Sequence, residues 1–162
     1  EQDVDNYYCR LGGCSNRNDA HHQTASSSEG NGAFLAMSEA LQMAGLAPEQ
    51  VSYVNAHGTG TGNNDASESA AFVRLFGDKM PPFSSTKGFT GHTLAAAGGV
   101  EAVFSVLAIK LGCRLPNINF TIPIPEYGLI PVAEFEEGVE VDSVMTNSFG
   151  FGGNCSSLLF TR

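Results

Sequence analysis

Apolar positions recur along this chain with two periods, and the alternation between them sketches the fold. Asn6-Tyr7-Tyr8-Cys9-Arg10-Leu11 is rich in β-formers and stops at Gly12-Gly13, which predicts a strand over 5–11 and a polar loop through Ser28. Phe34, Met37, Leu41 and Ala44 then fall at helical spacing and Gly45 closes the run, predicting an amphipathic helix over 31–44. Val51 to Asn55 reads as a short strand, and Asp65 with Glu68 three positions on resembles a capping box for a helix ending at Gly77. Phe83 to Thr86 is a further strand. Over 93–111 the apolar Val100, Val103, Phe104, Leu107, Ala108 and Leu111 spread around most of a helix, which is therefore expected to be buried. Pro116, Pro123, Pro125 and Pro131 break up a long surface segment, and Val139–Ser148 and Cys155–Thr161 close the chain as two strands. The order β, α, β, α, β, α, β, β predicts the α/β class, with antiparallel strands added at the end of a mixed sheet.

Composition narrows the picture. With 162 residues, 42% of them hydrophobic, the chain fits one domain over 1–162 with a substantial core. Eight basic against 17 acidic residues give a net charge of −9, which leaves little for a nucleic acid or an anionic membrane to hold. The stretch Glu134-Phe135-Glu136-Glu137 reads as a solvated acidic face. No apolar run is expected to reach a membrane span, and the polar start is neither a signal nor a transit peptide, so a cytoplasmic protein is expected. The first residue is not Met, which suggests an excerpt of a longer polypeptide. Four scattered cysteines favour a reducing compartment and ordinary thiols, and the spacing of Cys9, Cys14, His21 and His22 is too loose for zinc, so no metal site is expected.

Chemistry concentrates in three glycine-punctuated segments, each after an expected strand: Asn55 to Thr61, Ser85 to His92, and Asn147 to Asn154. Ligands of α/β sheets bind at such strand ends, so the three should meet in space. The register of Gly58, Gly60 and Gly62 is wrong for a dinucleotide fingerprint, and Lys87 lacks the context of a phosphate-binding loop. Taken singly, His57 or His92 would be a structural histidine. Together with Lys87 they suit a reaction that develops negative charge on a substrate oxygen, because fixed N–H donors in a water-poor site stabilise that charge.

These segments, in this order and spacing, resemble the C-terminal half of the β-ketoacyl synthases, condensing enzymes of fatty-acid and polyketide assembly, from about Leu11 to Arg162, and are similar to the acyl-carrier-protein synthase II kind. The resemblance implies one half of a thiolase-like fold, a mixed sheet under a predominantly helical covering layer. It implies a decarboxylative Claisen condensation, in which a cysteine carries the acyl chain and a malonyl thioester on acyl carrier protein loses carbon dioxide to become the attacking enolate. It makes His57 and His92 the catalytic histidine pair, Lys87 the lysine of that region and Glu68 its ion-pair partner. Thr59 and Thr61 would hydrogen-bond the phosphopantetheine arm. Phe151 would be the gating phenylalanine, whose backbone N–H contributes to an oxyanion hole, with Phe149 its more structural neighbour; Gly150, Gly152 and Gly153 fit either a mobile gate or a tight turn. No cofactor is implied beyond phosphopantetheine on the carrier. The partners implied are acyl carrier protein, the N-terminal half of the same synthase and a second copy in a homodimer.

Two departures qualify it. Asn64-Asp65 stands where the family usually has Gly-Asp. None of Cys9, Cys14, Cys113 or Cys155 occupies a strand-to-helix elbow, so the nucleophile is expected on the N-terminal half, and this piece alone is expected to be inactive. A cysteine-less synthase-like subunit and a non-catalytic carrier-binding module remain alternatives. The second has no need of His57, Lys87 and His92 together.

Overall fold

The computed structural model describes residues 7–162. A five-stranded sheet forms the centre, in the order β1-β7-β6-β2-β3, from β1 (Arg10–Asn18), β2 (Tyr53–Asn55), β3 (Phe83–Ser84), β6 (Ser143–Gly150) and β7 (Asn154–Thr161). β2 runs parallel to both β3 and β6, whereas β7 is antiparallel to β6 and to β1. β4 (Cys113–Arg114) and β5 (Glu136–Glu137) make a separate small ladder. The helices are α1 (Asn31–Ala44), α2 (Gly62–Phe76), the single turn α3 (Lys87–Thr90) and α4 (Ala97–Leu111). The expected class and mixed sheet are present.

Alternation along the central strands decides which helix lies on which face. Val54 and Met145 pack with Met37, Leu41, Ala71 and Phe72 of α1 and α2, while their neighbours Tyr53 and Val144 pack with Ala108 and Ile109 of α4. β2 is buried along its whole length, as a parallel strand covered on both faces must be. Each fully buried side chain such as Tyr53, Phe72 or Met37 contributes about 1.5–3 kcal/mol relative to exposure.

α1 occupies the residues its periodicity predicts, and Gly45 ends it in the left-handed conformation. The first strand does not. It begins at Arg10 and runs through Gly12-Gly13 with a bulge, and Asp5 and Asn6 lie outside the described residues. The glycines do not break the strand; Gly13 lets it approach α1, since a Cβ there would lie 2.0 Å from the Ala40 carbonyl oxygen. Cys14 accordingly sits inside β1, Cys9 just before it and Cys113 in β4, rather than where the sequence suggested. The acidic stretch is not wholly a solvated face, because Glu136 pairs with Arg114 across the β4–β5 ladder at 2.9 Å. α2 begins at Gly62, so Asp65 and Glu68 do not form a capping box; Asp65 lies in the first turn and Glu68 is buried one turn further.

α4 overturns its expectation of burial. Ala97, Glu101, Ser105, Ala108 and Ile109 face inward, whereas Val103 (58% exposed), Leu107 (37%) and Leu111 (66%) face out. Leu94–Leu111 also has a mean hydropathy of 1.7 over 18 residues, enough by length and composition for a membrane span, against the expectation of no such run. In the fold its inner side packs on β6 and its Glu101 is ion-paired, as in a helix covering a sheet.

Candidate active site

The three glycine-punctuated segments converge at one end of the sheet. His57 follows β2, Lys87 opens α3 after β3, His92 follows α3, and Phe149 ends β6. The His57 and His92 rings stand edge to face with centroids 5.4 Å apart, and Phe149 packs against His57 at 5.5 Å. His57 is 4% exposed, and burial, with Lys87 and His92 close by, pushes its imidazole down to about 3, so it is neutral at physiological pH. Its Nδ1 has no hydrogen-bond partner among the described residues. His92 is exposed, and its Nδ1 accepts the backbone N–H of Leu94 at 3.1 Å. With Nδ1 accepting, Nε2 is the ring nitrogen left to donate. Leu94 makes that bond from the left-handed region (φ +55), a strained conformation for a residue with a side chain.

The His57 loop is held by a buried carboxylate. Glu68 reaches back from α2 and accepts the backbone N–H groups of His57 and Gly58, each at 2.9 Å, and the Asn147 amide at 3.2 Å. Burial pushes Glu68 up to about 7, with those donors pulling the other way. From the opposite side Ser85 donates its hydroxyl to the Gly58 carbonyl at 3.0 Å, and Asn117 accepts the Ser85 N–H at 2.8 Å. Gly58 must be glycine: its φ is +41, and a Cβ there would lie 2.6 Å from that of Ser85.

The ion pair expected between Lys87 and Glu68 is not the one formed. Lys87 pairs with Glu101 of α4, and both side chains are nearly inaccessible. Glu68 is instead committed to three N–H donors, and this leaves Glu101 as the carboxylate facing the ammonium. Burial raises Glu101, and Lys87 draws it back only in part. Sequence reasoning missed Glu101, although a lone carboxylate inside the apolar run Ala97 to Ile109 was a usable signal. It also missed Ser85, Asn147 and Asn55, whose amide donates to the Glu101 carbonyl.

Two hollows meet at His92. One, of about 330 Å³, is walled by His57, His92, Leu94, Thr146, Ser148 and Phe149. The other, of about 650 Å³, runs past Thr59, Gly60, Glu68 and Lys87 to the proline-rich segment. Thr59 lines the larger hollow and shares a 2.8 Å hydroxyl bond with Thr61. Phe151 is not in either wall: it stands beyond Gly150 with 78% of its surface exposed, and Phe149 occupies the place beside His57. Gly152 lies in the turn next to Phe151. Among the described residues no three potential ligands are grouped to hold a metal.

Comparison with known proteins fits this geometry. The family described as "Beta-ketoacyl synthase, C-terminal domain" matches residues 8–121. The mitochondrial 3-oxoacyl-[acyl-carrier-protein] synthase of Arabidopsis thaliana is 45% identical over 94% of this chain and 34% of its own length. 3-oxoacyl-[acyl-carrier-protein] synthase 2 of Staphylococcus aureus is 41% identical over 97% of this chain and 38% of its own. Among solved structures, a β-ketoacyl synthase from Burkholderia phymatum superposes with a TM-score of 0.88 at 35% identity, over 96% of this chain and 38% of that one. A type II polyketide ketosynthase structure determined with its acyl-carrier protein and bound to a hexaketide reaches 0.90 at 31% identity, again over 96% and 38%. The chain thus spans little more than a third of the length of these relatives. With matching sequence, thiolase-like ketosynthase architecture and the histidine pair in place, this chain belongs to the β-ketoacyl synthase C-terminal domain family.

Proposed function

We propose that this chain is the half of a 3-oxoacyl-[acyl-carrier-protein] synthase that generates the carbanion equivalent, acting with an N-terminal half that carries the acylated cysteine. The observation that carries the reading is the pairing of a buried, neutral His57 with His92 at 5.4 Å. Two N–H donors converging on one malonyl thioester oxygen stabilise the negative charge that develops there. The bond to the malonyl carboxylate breaks, its electron pair passes into the enolate and carbon dioxide leaves. The enolate carbon then attacks the acyl thioester carbonyl, and the cysteine sulfur leaves with the electrons of the broken C–S bond. Lys87, fixed by Glu101, keeps positive potential beside the pair and disfavours protonation of His57. Glu68 aims the His57 loop through its backbone. Thr59 borders the larger hollow and is held by the Thr61 hydroxyl, and a phosphopantetheine arm from acyl carrier protein would lie there.

The nucleophile is assigned elsewhere because none of the four cysteines lines either hollow, and burial holds Cys155 up at about 12. The outward apolar face of α4 supports a second half packed against it. In the full-length polypeptide, His57→Ala and His92→Ala should each lower carbon dioxide release from malonyl carrier protein by roughly a hundredfold, with a smaller effect on acylation of the cysteine. Unaltered decarboxylation in either variant overturns the assignment.

A further inference from the structure

The turn beside the histidine pair is held from outside the site. Segment 18–28 crosses the end of the sheet between that turn and the entry of α2. At one end the Asn18 amide donates to the Gly152 carbonyl at 2.8 Å, the Asp19 N–H to the Gly153 carbonyl at 2.8 Å, and the Gly152 N–H to the Gln23 carbonyl at 2.7 Å. Gly152 and Gly153 both have φ +78, so the turn has a backbone shape that these bonds maintain without help from side chains of its own. In its middle the segment is braced by Asp19, whose carboxylate accepts the Ser27 N–H at 2.6 Å, the Ser27 hydroxyl at 2.7 Å and the Gly32 N–H at 2.9 Å. At the other end Asn63 clasps it. The Ser26 N–H donates to Asn63 Oδ1 at 2.9 Å, and Asn63 Nδ2 donates back to the Ser26 carbonyl at 3.2 Å. Asn63 is the second residue of α2, two positions beyond Thr61.

We propose that Asn63 is a positioning residue for the site: through Ser26 and the braced segment it fixes the Gly150–Gly153 turn, coupling that turn to the Thr59–Thr61 loop. The turn next to Phe149 cannot shift without releasing its three bonds to Asn18, Asp19 and Gln23. Asn18 is held by the β1–β7 ladder and Asp19 by Ser27 and Gly32, so Gln23, which accepts the Gly152 N–H, is the partner whose place depends on the anchor at Ser26. The reciprocal amide pair is the anchor that reaches the threonine loop, so displacement at Thr59–Thr61 and displacement at Gly152 draw on the same set of bonds. The coupling stands on these contacts; its consequence for acyl transfer rests on the function proposed above.

Residue-resolved amide exchange on the full-length polypeptide tests it, with Asn63→Ala and Asn63→Asp variants. Asn63→Ala removes both bonds at an exposed helix position where alanine is well tolerated, so α2 itself should be unharmed. The Gly152 amide, 89 positions away in sequence and not in contact with Asn63, should exchange roughly tenfold faster, the size expected for loss of a pair of hydrogen bonds. Asn63→Asp retains the acceptor for the Ser26 N–H and should recover part of the protection. Unchanged exchange at Gly152 in the alanine variant overturns the proposal, as does acceleration spread equally through α2. Absence of condensation in the unsubstituted protein would instead count against the function, and the exchange result would still decide the coupling.

Discussion

The strand ends around His57 and the outer face of α4 are built in opposite senses. At the strand ends Glu68, Lys87, Glu101, Asn55 and Asn147 are buried, and each has a partner within the chain. Along the outer face of α4, Val103, Leu107 and Leu111 are exposed among the described residues, although the inward face of the same helix carries Glu101 and Ser105. The helix buries Glu101 and Ser105 beside Ala108 and Ile109 while leaving three large apolar side chains outward. The difference separates what the chain completes from what it leaves to another layer. Its buried charges are paired within the chain, as burial requires, whereas apolar surface can wait for a partner at a modest cost in hydration.

The sharpest way to break this contrast is to remove one member of the buried ion pair. Lys87→Ala or Glu101→Ala leaves an uncompensated charge and should cost about 3–5 kcal/mol by denaturant unfolding, whereas the double change Lys87→Met with Glu101→Leu should recover most of it. A loss below ~1 kcal/mol in either single variant would mean the cluster is wetter than the contacts imply. Next in size, Glu68→Gln turns one face of the side chain from acceptor to donor and strands the N–H of His57 or Gly58. It should lower stability by about 1–3 kcal/mol in thermal unfolding, and alter the His57 ring resonances.

Two opposed pH dependences sharpen the picture further. His57 titrates at about 3 when folded, below its ordinary 6.5, so between those values the unfolded state binds more protons. Its contribution is complete above pH 6.5 and lost as pH falls toward 3. Glu68 is raised from 4.5 to about 7, so there the folded state binds more protons, and its contribution is present below pH 4.5 and lost as pH rises through 7. The two offset one another between pH 4.5 and 6.5. His57→Asn should therefore expose a fall in stability with rising pH over that window, and Glu68→Gln a rise; identical profiles for the two variants would contradict the burial of one group. The smallest effect is expected on α4. Leu107→Glu should change the unfolding free energy of the 162-residue chain by less than ~0.5 kcal/mol while weakening its retention on a hydrophobic-interaction column, and a larger loss of stability would show that the outer face is already packed.

Much of this was readable from residues in a row. The 3.6-residue spacing of Phe34, Met37 and Leu41 with Gly45 behind it delimited α1, and the three glycine-rich segments announced where chemistry would gather. Other features misled because a local cue has several tertiary meanings. Gly12-Gly13 looked like a strand end, and Gly13 is a close approach to α1; Asp65 and Glu68 had capping-box spacing, yet Glu68 holds the His57 loop. The apolar circumference of α4 signalled burial, and only the placement of the sheet revealed which side was covered.

By itself, then, the sequence determined the principal strands and helices, though not α3 or the β4–β5 ladder, together with the family and the segments that carry His57, His92 and Lys87, because periodicity, glycine and motif spacing are properties of neighbouring residues. The fold alone decided that Lys87 pairs with Glu101, that Phe149 and not Phe151 flanks His57, and that α4 turns its hydrocarbon outward. Those choices depend on which strand ends lie side by side. Glu68 and Glu101 are 19 and 14 positions from Lys87, and only the packing of α4 across β6 brings the second within reach of its ammonium.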